Sequence, residues 1–324
     1  MSETEDAATT IARLLRTRMR VTKDDDALAN VSVTSEWQNS EALKNLDGQV
    51  TVGLAESSDQ KIDLSGKTRR QTHFLRVGVW STDAPGASEP ARVMRRKIVD
   101  EVIRVIRQNR VKPNLTVYDF VSIGAAAETH KAYRGNDEAS PYAQVWTELP
   151  DNDYSKLWFS DDQRYQVSYS QNGEKAVMLF RFKIESREKT VKKIVLTFEG
   201  YGTAPSGDGI QIKVWNHDSG IWESTRSGGA NGTDETVTID IESNLLNYID
   251  GSGYVWFLAE TIHASDGATP ATLLCDYVSC TVTVNGVTYC DVLSYRNVDR
   301  VDLKPFVFRT EINVKSWFFE NIGE

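Results

Sequence analysis

Apolar and polar positions alternate or recur at helical spacing along the whole chain, and the two patterns predict its elements. EDAATTIARLLRTRMR spaces its apolar residues three and four apart, which predicts a short amphipathic helix. NVSVTSEW, QVTVGLAES and THFLRVGVWSTD alternate apolar with polar residues, as strands do. PARVMRRKIVDEVIRVIRQNRVKP predicts the longest helix, over residues 88–109, with Ser88 as its cap and Pro113 beyond its end.

The long helix carries an unusually wide apolar stripe. Its members are Met94, Ile98, Val102 and Val105, widened by Val99, Ile103 and Ile106. A stripe of this width favours burial against a sheet on one side and against a neighbouring subunit on another. After the helix, LTVYDFVSIGAAAETH predicts another strand of the same sheet.

From about residue 156 to residue 290 the pattern changes to short strands only. Glycine-containing turns such as Asn172-Gly173 and Ser219-Gly220 separate the strands at the regular spacing that is typical of a β-sandwich. DLKPFVFRTEINVKSWFFE then alternates over a long run near the end of the chain. This last strand needs a sheet to join, and we expect it to join the sheet of the first hundred residues.

The patterns together predict an α+β fold. We expect a small antiparallel sheet with two helices, interrupted by an all-β jelly-roll sandwich. The body would comprise residues 1–138 and 296–324, and the inserted decoration domain residues 140–292. The exposed turn around Gly135 is the kind of place where insertion is tolerated.

Charge follows the same division of the chain. The 324 residues have a net charge of −9, and residues 140–292 alone hold 21 acidic and 11 basic residues, a net of −10. The acidic balance argues against nucleic acid as a main partner, and we expect no direct, sequence-specific binding to nucleic acid. Apolar runs are far shorter than the ~18 residues of a membrane helix, and the acidic amino terminus is unlike a secretory signal. We therefore expect a soluble protein that is made inside a cell and has no membrane partner.

The three cysteines predict buried thiols. In CTVTVNGVTYC the Asn285-Gly286 pair predicts a two-residue hairpin turn, which would place Thr281 opposite Cys290 and Cys280 on the other face. The spacing of Cys275, Cys280 and Cys290 fits neither a zinc motif nor a disulfide framework.

Sequence motifs of catalysis are absent. There is no GxSxG elbow, no phosphate-binding GxxxxGK[ST] loop, no HExxH and no GxGxxG after a strand. The carboxylate pairs Asp161-Asp162 and Asp151 with Asp153 could attract calcium, but they lack the ligand spacing of a calcium hand, so we interpret them as solvated loops. We predict no enzyme activity, no catalytic residue, no cofactor and no metal site.

Aromatic residues are frequent in the predicted sandwich. Alternation explains most of them as core: in GYVWFLAE, Tyr254, Trp256 and Leu258 share one face of the strand. Aromatic rings on a sandwich can also stack on sugars. The candidate ligand surface is Trp158, Tyr201, Trp215 and Trp222.

The body resembles a viral protein family. Its order of elements, with THFLRVGVWS, a capped helix ending in VIRQNR, LTVYDFVSIGAA and VFRTEINVKSWFFE, is similar to the tail terminator (tail completion) proteins of long-tailed viruses, particularly of archaeal viruses. The stretches KVWNHDSGIWE, YIDGSGYVWFLAET and LLCDYVSCTVTV resemble galactose-binding-like jelly-roll modules. Such modules recognise carbohydrate or decorate a surface.

The first resemblance implies a structural virion protein that is assembled in the host cytoplasm. It would form a homo-oligomeric ring, a hexamer, that caps the head-proximal end of the tail tube, with the major tail tube protein and the head-tail connector as partners. A ring subunit needs apolar surface for its neighbours. The predicted oligomer interface is Met94, Ile98, Val102, Ile103, Ile106, Trp317, Phe318 and Phe319.

Other functions remain open at this point. A head-tail adaptor or neck protein would sit one ring nearer the portal. A carbohydrate-binding or host-recognition virion protein would work through the sandwich, with a glycan as partner. A glycoside hydrolase would need a pair of acids across a cleft, and the sequence shows no such motif.

Overall fold

The computed structural model describes residues 3–35, 43, 45–63, 67–83, 89–121, 129–299 and 306–321. The predicted cap Ser88 lies outside these ranges. The chain divides into two compact units. We call Val117–Val284 the sandwich, and Glu3–Thr116 together with Asn285–Glu324 the body.

In the described part of the body, two helices with defined bounds accompany one five-stranded sheet. The helices are α1 (Ala7–Arg18) and α2 (Ala91–Gln108). In spatial order the strands are β1 (Val31–Thr34), β2 (Gly48–Lys61), β3 (Thr68–Thr82), β16 (Val307–Asn321) and β15 (Tyr289–Asn297). β1 runs parallel to β2, and the other pairs are antiparallel.

The last strand returns to the sheet of the first hundred residues, as the alternating pattern predicts. β16 pairs with β3 over its whole length, from Val307 opposite Thr82 to Asn321 opposite Thr68. Val77 and Val79 of β3 and Ile312 and Val314 of β16 are buried in one core with the apolar faces of both helices.

The wide stripe of α2 is covered by the body itself. The five predicted interface residues of the helix are all buried in the core of the body: Met94, Ile98, Val102, Ile103 and Ile106. Since a single copy of the chain already covers these side chains, we no longer expect them to contact a second copy.

The three aromatic residues near the end of β16 have different surroundings. Phe318 is buried and stacks on His73, with ring centroids 5.8 Å apart. Trp317 stacks on Tyr289 at 3.9 Å and lies under the cation of Arg70. Phe319 is 56% exposed. Of the predicted interface, Trp317 and Phe319 therefore retain surface that a partner could use.

The sandwich consists of two packed sheets. One has the order β11 (Ile221–Gly228), β10 (Ile210–Asn216), β13 (Tyr254–Thr261), β8 (Val177–Lys183), β5 (Lys131–Gly135) and β6 (Thr147–Glu148). The other has the order β12 (Glu235–Ile241), β9 (Val191–Thr203), β14 (Ala271–Val284) and β4 (Leu115–Tyr118), and β7 (Tyr165–Tyr169) also pairs with β14.

Aromatic side chains from both sheets fill the space between them. The ring of Phe180 on β8 lies 5.7 Å from Phe257 on β13 and 6.2 Å from Phe198 on β9. All three are fully buried in one apolar core. Two sheets that share their inner side chains in this way form a β-sandwich, as the strand spacing predicts.

The predicted α+β fold class is wrong. Strands account for 48% of the structure and helices for 16%, and the strands form three sheets. The body sheet is not small, because β2 and β3 extend to 14 and 15 residues. β4 and β5, which the sequence assigned to the body, belong to the sheets of the sandwich. The chain is mainly β.

The predicted hairpin at Asn285-Gly286 is also wrong. β14 belongs to the sandwich sheet and β15 to the body sheet, so the two strands do not pair. Instead, the carbonyl of Asn285 accepts a hydrogen bond from the backbone N–H of Glu5 at 2.8 Å. Tertiary pairing with β16 replaces the local pairing that the turn residues favour.

All three cysteines are buried free thiols, which confirms the prediction of buried thiols. Burial, followed by the neighbouring charge of Asp291, raises the pKa of the Cys290 thiol to about 12. No helix in the described ranges combines the length and the apolar composition that crossing a bilayer requires.

His130 makes the stability of the sandwich depend on pH. Burial, and then the charge of Arg181, lowers the pKa of His130 to about 4. The unfolded chain, with a pKa near 6.5, therefore binds more protons between these values, and stability falls as the pH falls through this window. Between pH 7 and pH 5, the free energy of unfolding of wild type should fall by about 2 kcal/mol more than that of His130→Gln, as measured by urea unfolding. An equal pH dependence of both proteins would contradict this assignment.

Candidate functional site

One face of the six-stranded sheet points away from the sandwich core and carries aromatic and cationic side chains. Because residues alternate along strands, Met178, Phe180 and Phe182 of β8 enter the core, and Arg181 and Lys183 lie on the opposite side. On β13, Val255 and Phe257 are core residues, and Tyr254 and Trp256 share the outer side. We define the aromatic face as Tyr133, Tyr142, Arg181, Lys183, Tyr254 and Trp256.

Strand register brings these side chains together. Trp256 is directly opposite Arg181, and Tyr254 is directly opposite Lys183. The ring of Tyr133 on β5 lies 6.2 Å from that of Trp256, tilted by 31°. Tyr142 meets Trp256 edge to face at 5.8 Å. Trp256 is thus a buried ring that is in contact with the rings of Tyr133 and Tyr142.

Two cations flank the ring of Tyr254. The guanidinium carbon of Arg181 lies 4.5 Å from the ring centroid, and Nζ of Lys183 lies 4.7 Å from it. Both distances are within the range of cation–π attraction, which holds long side chains in place. The aromatic face therefore presents hydrogen-bond donors next to ring surface.

The loop of residues 136–146 folds over one side of the aromatic face. Nε1 of Trp146 donates to the carbonyl of Ser140 at 2.8 Å, and Nε1 of Trp222 donates to the carbonyl of Ala139 at 3.0 Å. Gly135 permits this packing, because a Cβ atom at this position would lie 2.6 Å from the ring of Trp146. Tyr142, at the outer part of the loop, is 59% exposed.

A buried ion-pair network supports the neighbouring part of the same sheet face. Glu260 is fully buried, and Oε1 lies 2.7 Å from Nζ of Lys213 and 3.3 Å from Nζ of Lys175. Lys213 also pairs with Glu138 of the covering loop. Breaking a buried pair of this kind is strongly destabilising, so the network fixes the loop on the sheet.

The hydroxyls of Tyr133 and Tyr142 on the aromatic face stay protonated at neutral pH. Burial raises the pKa of both Tyr133 and Tyr142 above the usual value. The hydroxyl of Tyr142 lies 3.1 Å from Nδ1 of His217, and burial lowers the pKa of this imidazole. The tyrosine and histidine of this pair can therefore serve as neutral hydrogen-bonding groups near pH 7.

The predicted ligand residues Trp215 and Trp222 lie close to this face. Their rings meet edge to face at 5.1 Å, and both belong to the aromatic cluster around Leu179 and Trp256. Trp215 is buried and Trp222 is partly buried with its indole N–H bonded to the loop. Both rings pack in the same cluster as Trp256, so they support the aromatic face and do not form a separate ligand surface.

The other two predicted ligand residues lie elsewhere in the sandwich. Trp158 follows the 3₁₀ turn Asp151–Leu157 and packs against the sandwich core. Tyr201 on β9 lies under the guanidinium of Arg164 at 5.8 Å. The structure therefore does not bring the four predicted residues into one surface.

Sequence reasoning missed the tyrosines of the aromatic face. Alternation predicts both Tyr254 and Trp256 as core residues; Trp256 is buried, whereas Tyr254 is only partly buried. The available signal was the charge on the same side of the strands: Arg181, Lys183 and Lys213 alternate with core residues on β8 and β10.

A family model described as "Uncharacterized protein, C-terminal domain" matches residues 127–284, which lie within the sandwich. A search of curated proteins gives no match. Neither the family model nor the search of curated proteins points to a tail terminator protein.

Three solved structures are similar to parts of the chain. A "xylan-binding module CBM15" is 14% identical with a TM-score of 0.27, covering 53% of this chain and 97% of that one. The module TmCBM61, in complex with β-1,4-galactotriose, is 11% identical with a TM-score of 0.19, covering 53% and 91%. The enzymatically active domain of tailspike protein 4 of bacteriophage CBA120 is 11% identical with a TM-score of 0.13, covering 65% and 20%.

Proposed function

We propose that the sandwich binds carbohydrate on its aromatic face. The observation that carries this proposal is the arrangement of Tyr133, Tyr142 and Tyr254 around Trp256, with the cations Arg181 and Lys183 beside the rings. Sugar rings have apolar C–H faces that pack on aromatic rings and hydroxyl rims that need hydrogen bonds. The aromatic face offers both kinds of contact within one sheet surface.

Preorganisation supports binding at this place. The ion pairs around Glu260 and the indole hydrogen bonds of Trp146 and Trp222 hold the loop and sheet together before any ligand arrives. A surface that is already ordered loses little conformational entropy on binding. We propose a binding role without catalysis; Glu260 of the sheet and Glu138 of the loop both pair with Lys213.

The test is binding of the full chain to a panel of soluble polysaccharides, neutral and uronic-acid-containing, by affinity electrophoresis and then calorimetry. Tyr254→Ala should weaken binding about fivefold, since stacking of an aromatic ring contributes roughly 1 kcal/mol beyond burial. Phe159→Ala is the matched control, because Phe159 is 55% exposed but lies beyond the aromatic face, after the 3₁₀ turn. It should bind as wild type does.

Two results would count against the proposal. One is failure of wild type to bind any member of the panel, and the other is an equal loss of affinity in Tyr254→Ala and Phe159→Ala. The tail terminator, hexameric ring and virion roles stay predictions. Light scattering of the purified chain, alone and with tail tube protein, tests them separately from sugar binding.

A further inference from the structure

A β-bulge in β14 re-aims one carboxylate. Cys275 is opposite Gly200 on β9, and Tyr277 is opposite Glu199, so that Asp276 is an extra residue without a partner in the register. An extra residue in one strand shifts the direction of the side chain at that point. Asp276 nevertheless stays inside the protein, where it is 1% exposed.

Two further carboxylates meet Asp276 from separate loops. Carboxylate oxygens of Asp162, Asp234 and Asp276 all lie within 4.8 Å of one another. Asp162 precedes β7 and Asp234 directly precedes β12, so three distant parts of the sequence converge here. The backbone N–H of Asp162 donates to Oδ2 of Asp276 at 3.2 Å.

Arg164 neutralises part of the negative charge of the three carboxylates. Its Nε lies 2.8 Å from Oδ2 of Asp234, and its guanidinium also pairs with Asp162. Three carboxylates and one guanidinium carry a formal charge of −2. Among the described residues, Oδ1 of the buried Asp276 has no hydrogen-bond partner. A buried ionised carboxylate without a cation or full hydrogen bonding is costly.

We propose that Asp162, Asp234 and Asp276 bind a divalent cation, with Ca²⁺ as the preferred ion. Hard oxygen ligands and a residual charge of −2 suit Ca²⁺, which accepts six to eight oxygens in flexible geometry and takes water for the positions that protein leaves. Each carboxylate oxygen has two lone pairs, so Asp234 can accept from Arg164 and still ligate an ion.

The experiment uses the full chain after dialysis against EDTA, with CaCl₂ or MgCl₂ added back. Calorimetric titration should show one Ca²⁺ site. Saturating Ca²⁺ should raise the melting temperature on the order of 5 °C, because the ion binds only the folded state. Mg²⁺, which demands a tighter octahedral geometry, should have a smaller effect.

Asp276→Asn separates a cation site from a merely structural carboxylate. The variant should lose the Ca²⁺ response, yet in EDTA it should melt at or above the temperature of wild type, because it no longer buries an uncompensated charge. Asp161→Asn is the matched control: Asp161 is the exposed neighbour of Asp162 and lies outside the cluster. This control should keep the full response.

Several outcomes would overturn the proposal. Wild type without heat of binding or thermal shift at millimolar Ca²⁺ would do so, as would a full Ca²⁺ response in Asp276→Asn. Equal losses in Asp161→Asn and Asp276→Asn would assign the binding to diffuse negative charge. If Asp276→Asn does not fold, Asp234→Asn serves in its place, since Asp234 is partly exposed. None of these measurements involves a sugar, so they stand apart from the proposed function.

Discussion

Replacing Ile98 by aspartate is expected to unfold the body. Ile98 is fully buried in the core between α2 and the sheet. The substitution removes about 2 kcal/mol of apolar burial and places an unpaired carboxylate in the core, which costs several kcal/mol more. The sum is comparable with the total stability of a typical domain, about 5–15 kcal/mol.

Val93→Asp is the matched control for this prediction. Val93 lies on the same helix but is 42% exposed, so its substitution should change stability by less than about 1 kcal/mol. Hydrogen exchange of peptides from α2 and β3 reports on the body alone. Protection of these peptides should disappear in Ile98→Asp and persist in Val93→Asp. Native protection in Ile98→Asp would mean that the helix packs with another face.

The α2 stripe shows what hydrophobic periodicity can reveal and what it leaves open. Spacing identified the helix and the residues of its apolar face. It could not identify what covers that face, because a wide stripe is equally compatible with a sheet, a second helix or a second subunit. In the structure, the stripe is buried in one core with residues of the body sheet and of α1, so the extra width does not by itself indicate oligomerisation.

Turn residues proved a weak guide to pairing across long distances. Asn285-Gly286 has the composition of a hairpin turn, yet the strands before and after it belong to different sheets. The choice between hairpin and crossover depends on β16, which comes later in the chain and offers β15 a long antiparallel partner. The residues of the turn alone carry no information about a pairing partner that lies so far along the chain.

The two candidate sites were hidden for different reasons. The outer aromatics of β13 look like core in a strand that is apolar on both sides, so alternation could not distinguish the two faces. Asp276 interrupts the period of two with a bulge, and a bulge leaves no clear signal in a single sequence. Both sites also depend on loops, around Tyr142 and Asp162, whose placement is set by tertiary contacts.

Excising the sandwich at its structural boundary should leave a folded body. A chain that joins Thr116 to Asn285 through a short Gly-Ser linker keeps both helices and all five strands of the body sheet. Both ends that the linker joins are hydrogen-bonded to the segment around α1. The hydroxyl of Thr116 accepts a hydrogen bond from Arg13 of α1, and the carbonyl of Asn285 accepts one from the backbone N–H of Glu5, which precedes α1. A cooperative thermal transition and a native-like circular dichroism spectrum should result.

The matched control joins residues 138 and 296, the boundaries that the sequence alone suggests. This chain loses nearly all of β15, including the core residue Cys290, and leaves β16 as a long unpaired edge. It also keeps β4 and β5 without the sandwich strands that they pair with. Exposed edges of this length promote association between chains, so we expect aggregation on size-exclusion chromatography. If this control folded as well as the first chain, β15 would not be an integral part of the body.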